Sequence, residues 1–199
     1  TFGLPAFKWE PQADVMTDIN NWWAENRAEG KTSVLFGYSL GKAQRLLKNL
    51  DPNIGRIYTH GAIENMTEVV RPLIDLPATI RVTPETKKED LLGSIVIAPP
   101  SAHGSTWIRR MTPFVTGSAS GWMAFRGARR RRAVDRGFVL SDHCDWTGLL
   151  ESIQATGAEK VICTHGYSDI FSKYLRELGY DARTAHTQYE GETNDSEEN

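Results

Sequence analysis

Residues 33–50, SVLFGYSLGKAQRLLKNL, decide the fold class of this protein. The run 33–38 is short and apolar, which predicts a buried strand. From Leu40 to Leu50, leucine and alanine recur at intervals of three and four, which predicts a helix that stops before Asp51 and Pro52. A buried strand followed directly by an amphipathic helix indicates one βα unit.

The same alternation continues along the chain. Further strands are predicted at 56–59, 78–82, 94–98, 114–118, 137–141, 160–164 and 181–187, and helices at 11–29, 64–74, 85–92, 146–155 and 168–178, with a short helix after residue 105. Strands separated by helices favour a largely parallel sheet with helices on both faces. The predicted fold class is therefore α/β.

Length and composition limit the class of protein. The chain has 199 residues and 40% hydrophobic content, which is enough for one globular domain or two small ones. No apolar stretch approaches the roughly 20 residues that cross a bilayer, so we expect a soluble protein without a membrane partner. Two cysteines are too few for a disulfide framework, which favours a cytoplasmic location. The chain begins at Thr1 without methionine, which suggests processing or a piece of a longer protein.

Charge is unevenly distributed, although the formal net charge is only -2. Four consecutive arginines occupy positions 129–132: Arg129, Arg130, Arg131 and Arg132. They could form a solvated surface, but guanidinium groups match phosphate oxygens well, so nucleic acid is the preferred partner. The segment 191–199 is acidic and lacks apolar residues, and we expect it to be disordered.

Two strand-to-helix junctions carry residues that could contact a phosphate. The first contains Ser39 and Lys42, and the second contains Ser101, Gly104 and Ser105. Ligands collect at the carboxyl ends of parallel strands, where loops lead into helices. An ordinary turn remains the alternative for the first junction, and the second lacks the lysine of a nucleotide-binding P-loop.

Two later junctions place a histidine directly after an apolar strand. His143 lies in SDHCDW and His165 in THGY. Each alone is more often structural than catalytic, but two at equivalent strand ends favour a shared site. Histidine serves as a zinc ligand or as a general acid, and Asp142 and Asp145 could orient an imidazole. The five histidines form no His-x-His or His-Glu-x-x-His cluster, so a complete metal site within this chain is not expected.

Several motifs together resemble the β-CASP nucleases, which are metallo-β-lactamase enzymes with an inserted cap domain. The resemblance rests on SDHCD around His143, THG at His165 and LGKAQRLL at 40–47, together with TFGLP at 1–5, APPS at 98–101, SGWM at 120–123 and the region 129–145. The pattern is most similar to the bacterial ligase-associated DNA exonuclease group. It implies a β-CASP cap domain at 1–136, the C-terminal part of a metallo-β-lactamase domain at 137–190, and a tail at 191–199.

The resemblance also implies an activity and its residues. It predicts the C-terminal part of a zinc-dependent exonuclease that acts on DNA, with a role in DNA repair. Two zinc ions are expected in the complete protein, and no zinc or weakly bound zinc in this chain alone. His165 would bind zinc, and His143 would contact the scissile phosphate or protonate the leaving oxygen. Lys42, the 101–105 loop and the arginine run would hold the substrate, as their position and chemistry suggest independently of the resemblance.

Other functions remain open at this point. RNA-acting members generally have histidine at the position of His165, so an RNA-processing ribonuclease is the alternative activity. A non-catalytic nucleic-acid-binding module is the alternative from another class. Single-stranded DNA is the first expected partner and RNA the second, with the N-terminal metallo-β-lactamase half, a DNA ligase and a helicase as protein partners implied by the resemblance.

Overall fold

The computed structural model describes residues 2–185, apart from the side chains of Ala128 and Arg129. The chain divides into two compact units: a larger one, Glu10–Asp142, and a smaller one formed by the described parts of Thr1–Trp9 and His143–Asn199. The predicted tail 191–199 and the end of the predicted last strand lie outside the described residues. None of the helices within residues 2–185 has the length and hydropathy that a bilayer span requires.

The larger unit is a six-stranded parallel sheet with helices on both faces. Its strands are β1 Thr32–Phe36, β2 Ile57–Thr59, β3 Ile80–Arg81, β4 Ile95–Ala98, β5 Phe114–Ala119 and β6 Arg136–Phe138. Its helices are α1 Gln12–Ala28, α2 Lys42–Asn49, α3 Gly61–Val70, α4 Lys88–Leu91, α5 Thr106–Arg109 and α6 Arg126–Arg132, with 3₁₀ turns at Pro100–Ala102 and Gly121–Ala124. The strand order is β3-β2-β4-β1-β5-β6.

The central strand β1 explains why the sheet is covered on both faces. All five of its residues are buried, and Val34 pairs with Val96 of β4 and Thr116 of β5. Alternate residues point to opposite faces. Leu35 therefore joins the core formed by α1 and α2, while Val34 joins the core that includes Ile108 of α5. The predicted parallel α/β sheet is confirmed, whereas its assignment to the β-CASP fold stays a prediction.

Element boundaries differ from the sequence prediction where turns intervene. The helix predicted from Leu40 begins at Lys42, because Gly41 adopts φ 83° and leaves Leu40 63% exposed. The helix predicted at 85–92 shrinks to α4, because Thr83 and Thr86 close a turn by hydrogen bonds of 2.9 and 3.1 Å. The spacing of apolar residues along the sequence does not reveal these turns.

The smaller unit contains four further elements. They are α7 Trp146–Thr156, β7 Lys160–Cys163, α8 Ser168–Glu177 and β8 Asp181–Thr184, with β7 and β8 paired in parallel. Its core contains Trp146, Phe171 and Leu175. The backbone N–H of Trp146 donates to the Phe7 carbonyl at 2.9 Å, which joins the N-terminal segment to this unit. The division into a cap domain and a metallo-β-lactamase part stays a prediction.

Candidate nucleic-acid interface

The predicted arginine run forms helix α6 at the surface of the larger unit. Successive residues of a helix project about 100° apart, so consecutive arginines spread around α6, whereas Arg126 and Arg130, four residues apart, share one face. The side chains of Arg126, Arg130 and Arg131 are exposed, and Arg132 is half-buried. The predicted contact through the Arg129 side chain lies outside the described residues. The helix ends at Ala133, which adopts a left-handed conformation with φ 46°.

A cleft lies beside α6. It has a volume of about 340 Å³ and is lined by Arg126, Arg130, Val134, Asp135, Arg136 and Gly137; we call it the arginine cleft. Arg136 is already engaged, since it forms an ion pair with Asp18 and its guanidinium lies 5.4 Å from the centre of the Phe138 ring. Within residues 2–185, no hydrogen bond or ion pair neutralises Arg126 or Arg130. The cleft therefore keeps two guanidinium groups against the one carboxylate of Asp135, and this net positive charge suits an anion.

A second cavity shares Asp135 with the arginine cleft. It has a volume of about 310 Å³, and we call it the loop cavity; its lining residues are His103, Gly104, Ser105, Ile108, Arg109, Phe114, Thr116, Ala133 and Asp135. Asp135 is fixed by Thr116 of β5: its Oδ2 accepts hydrogen bonds from Thr116 N and Oγ1 at 2.8 and 2.6 Å. The Asp135 N–H donates back to Thr116 Oγ1 at 3.0 Å.

The second predicted junction contributes to the loop cavity only in part. Gly104, with φ 71°, and Ser105 line it. Ser105 Oγ donates to the Ala102 carbonyl at 2.7 Å, so this hydroxyl also shapes its own loop. Ser101 is exposed in the 3₁₀ turn and does not line the cavity. The structure thus brings Gly104 and Ser105, but not Ser101, to a cavity that adjoins the arginine cleft.

The first predicted junction has an internal role. Lys42 is 3% exposed; its Nζ donates to the Leu140 carbonyl at 2.6 Å and lies 3.1 Å from Asp142 Oδ2. Ser39 is half-buried, and its carbonyl accepts a hydrogen bond from Gln44 Nε2 at 3.1 Å. The ammonium group predicted to hold substrate instead links α2 to the segment that follows β6.

Burial lowers the pKa of Lys42 from its ordinary value of 10.5, because desolvation of the ammonium outweighs its contact with Asp142. Between the lowered pKa and 10.5, the unfolded chain binds more protons than the folded chain, so stability rises with pH in that window. We therefore expect the free energy of unfolding of wild type, relative to Lys42→Met, to increase as the pH rises towards 10.5. Urea unfolding of both proteins measures it, and a constant difference would contradict the lowered pKa.

The aspartates that flank His143 also have structural partners. In the larger unit, Asp142 Oδ1 lies 3.2 Å from Arg45 Nη1, in addition to the contact with Lys42. In the smaller unit, Asp145 caps α7: its Oδ1 accepts from Gly148 N at 2.8 Å, and its Oδ2 accepts from Trp9 N at 3.0 Å. These contacts account for both carboxylates without a catalytic role, and that predicted role stays a prediction.

Both predicted active-site histidines belong to the smaller unit and are exposed. The His143 ring centre lies 5.8 Å from that of Phe2, and its carbonyl accepts from Trp9 Nε1 at 2.9 Å. His165 follows β7 with φ 61° and lines a cavity of about 230 Å³ whose other walls include Leu149, Val161 and Phe171. Within the described chain, no group of three or more His, Cys, Asp or Glu side chains could hold a metal ion. The described residues alone therefore do not complete a zinc site at His165, and its predicted role as a zinc ligand stays a prediction.

Asp135, Arg109 and Phe114 were not predicted as site residues. They are separated along the sequence and come together only because β5 and β6 pair in parallel and α5 lies beside them. The sequence carried one usable signal, an acidic residue three positions after the arginine run. Its pairing with Thr116, 19 positions earlier, requires the strand register.

Comparison with known proteins gives one informative likeness. No family model matches the chain. The chain is 34% identical over 183 residues to a protein from Opitutus terrae (strain DSM 11246 / JCM 15787 / PB90-1) named "Probable DNA ligase". The aligned part covers 92% of this chain and 18% of that relative, so the chain spans less than a fifth of the relative's length.

This likeness corrects the predicted function. The relative is named for joining DNA and not for cleaving it, so the predictions of a DNA exonuclease and of an RNA-processing ribonuclease are wrong. The associated prediction of a zinc-dependent hydrolase has no support from the relative's name or from the described residues. The resemblance to the β-CASP and metallo-β-lactamase family stays a prediction, since no family model bears on it.

Proposed function

We propose that this chain is a DNA-binding part of an enzyme that acts on DNA and is related to DNA ligases. The observation that carries the proposal is the 34% identity, extending over 92% of the chain, to the protein named for DNA ligation. In this proposal the arginine cleft contacts the DNA backbone. The chain contributes binding, and the joining step is not assigned to its residues.

The arginine cleft has the chemistry that backbone binding requires. Arg126 and Arg130 lie on one face of α6, and both side chains are exposed. Within residues 2–185, neither guanidinium has a neutralising partner. A guanidinium presents a planar set of donors that matches two phosphate oxygens. Contacts of this kind position a nucleic acid without reading its sequence. This supports DNA binding through charge and geometry.

Arg126→Gln/Arg130→Gln is expected to weaken binding to a fluorescent DNA oligonucleotide and to reduce its salt dependence. Each phosphate contact contributes about 0.9 to the slope of log Kobs against log salt on duplex DNA and about 0.7 on a single strand. The double variant should therefore lower the magnitude of that slope by roughly 1.4 to 1.8. Fluorescence anisotropy over a series of salt concentrations measures both quantities.

The matched control is Lys87→Gln/Lys88→Gln, which removes the same charge from two exposed residues of the same unit. Wild-type slope in the control and a reduced slope in the arginine variant support the cleft. Equal slopes in all three proteins would exclude it as the contact. Parallel titrations with single-stranded DNA, duplex DNA and RNA of one sequence test the preference for single-stranded DNA.

A further inference from the structure

The loop cavity differs in chemistry from the arginine cleft that it adjoins. Ile108 and Phe114 supply apolar walls, while Arg109 and Asp135 supply one charge of each sign. Its volume of about 310 Å³ lies at the lower end of the range of small-ligand pockets, roughly 300 to 1,000 Å³. An aromatic wall, an apolar wall and polar groups at the rim suit a flat heterocycle with hydrogen-bonding edges.

Asp135 limits what the cavity can accept. Its Oδ2 is occupied by Thr116, whereas its Oδ1 accepts no hydrogen bond from residues 2–185. An ionised carboxylate only accepts hydrogen bonds and repels phosphate. In a nucleic acid, the groups that donate to a carboxylate are the N–H groups of the bases, and the exocyclic N4 amine of cytosine is one of them. The acidic group therefore favours a base over a phosphate.

We propose that the loop cavity holds one unpaired base of a DNA strand whose backbone lies in the arginine cleft, and that Asp135 selects bases carrying an exocyclic amine. The inference rests on the proposed function, because the arginine cleft must first hold the strand. Asp135 lines both cavities, so a base that enters the loop cavity lies next to its own backbone. Phe114 provides an aromatic surface for stacking, which every base can use. Asp135 then determines which base binds more tightly.

Oligo-dC and oligo-dT of equal length test the selection directly. The two bases have the same ring size, but cytosine presents an N4 amine donor where thymine presents an O4 acceptor. The single ring N–H of unpaired thymine, at N3, lies between two carbonyl oxygens, which a carboxylate disfavours. A hydrogen bond to a charged group predicts about tenfold tighter binding of oligo-dC by wild type. Asp135→Asn is expected to remove the preference. Thr116 N donates at the Oδ2 position, so the amide oxygen takes that position and the amide nitrogen, which can only donate, replaces Oδ1. Fluorescence anisotropy measures each affinity, and thermal unfolding monitors the fold of the variant.

A ligand-side probe keeps the test decisive if Asp135→Asn does not fold. Oligo-dC dimethylated at N4 retains the ring but has no amine donor, and wild type should bind it about as weakly as oligo-dT. Equal wild-type affinity for oligo-dC and oligo-dT, or a preference that survives Asp135→Asn or N4 dimethylation, would overturn the inference. Salt-dependent binding without base preference would leave the proposed function intact, whereas no DNA binding by wild type would overturn that function.

Discussion

Trp23→Ala is expected to lower the free energy of unfolding of the larger unit by about 3–5 kcal/mol. Trp23 is completely buried in α1, within the core that also contains Leu35 of the central strand β1. Its Nε1 donates to the Gly93 carbonyl at 3.2 Å. Truncation leaves a large cavity and also removes this donor. Urea unfolding followed by circular dichroism measures the loss.

Leu73→Ala is the control for Trp23→Ala. Leu73 is an apolar residue of the same unit that is 82% exposed, so its truncation should change stability by no more than about 0.5 kcal/mol. Trp23→Phe separates the two contributions, because it keeps most of the apolar volume and removes only the indole N–H. A loss below about 1 kcal/mol for Trp23→Ala would show that the α1 face of the sheet is not the main core.

Asp142→Ala is expected to destabilise the protein by about 2 kcal/mol, because it leaves the buried Lys42 ammonium without its carboxylate partner. Removing one member of a fully buried pair costs about 3–5 kcal/mol. Asp142 itself is 40% exposed, so water can partly replace it and the expected cost is smaller. The double variant Lys42→Met/Asp142→Ala should lose less than the sum of the two single variants, since the unpaired charge is removed. Urea unfolding of the four proteins gives the coupling energy.

The Arg56–Asp90 pair provides the matched control for this cycle. Its side chains are 65% and 45% exposed at a separation of 3.7 Å, so Asp90→Ala should cost less than about 0.5 kcal/mol. Additive losses for Lys42 and Asp142 would mean that the two residues do not interact in solution.

The sequence by itself determined the layers of the larger unit. The apolar runs of β1 and β4 and the periodic apolar face of α1 depend on neighbouring residues, and local patterns specify them. The sequence also determined that a dense positive charge lies at the surface, because four adjacent arginines cannot all be buried. The alternation of apolar strands and periodic helices led correctly to a parallel α/β sheet with helices on both faces.

Only the tertiary structure decided which residues share a site. Lys42 and Asp142 are 100 positions apart, and Thr116 and Asp135 meet through the pairing of β5 with β6. Lys42, whose position after a strand suggested a contact with phosphate, is instead buried against the segment after β6. Asp135, which the sequence did not single out, lines two cavities. Short-range patterns report local conformation and hydropathy, whereas hydrogen bonds between distant segments depend on strand register and loop path. The elements were therefore predictable, but the partners of their polar side chains were not.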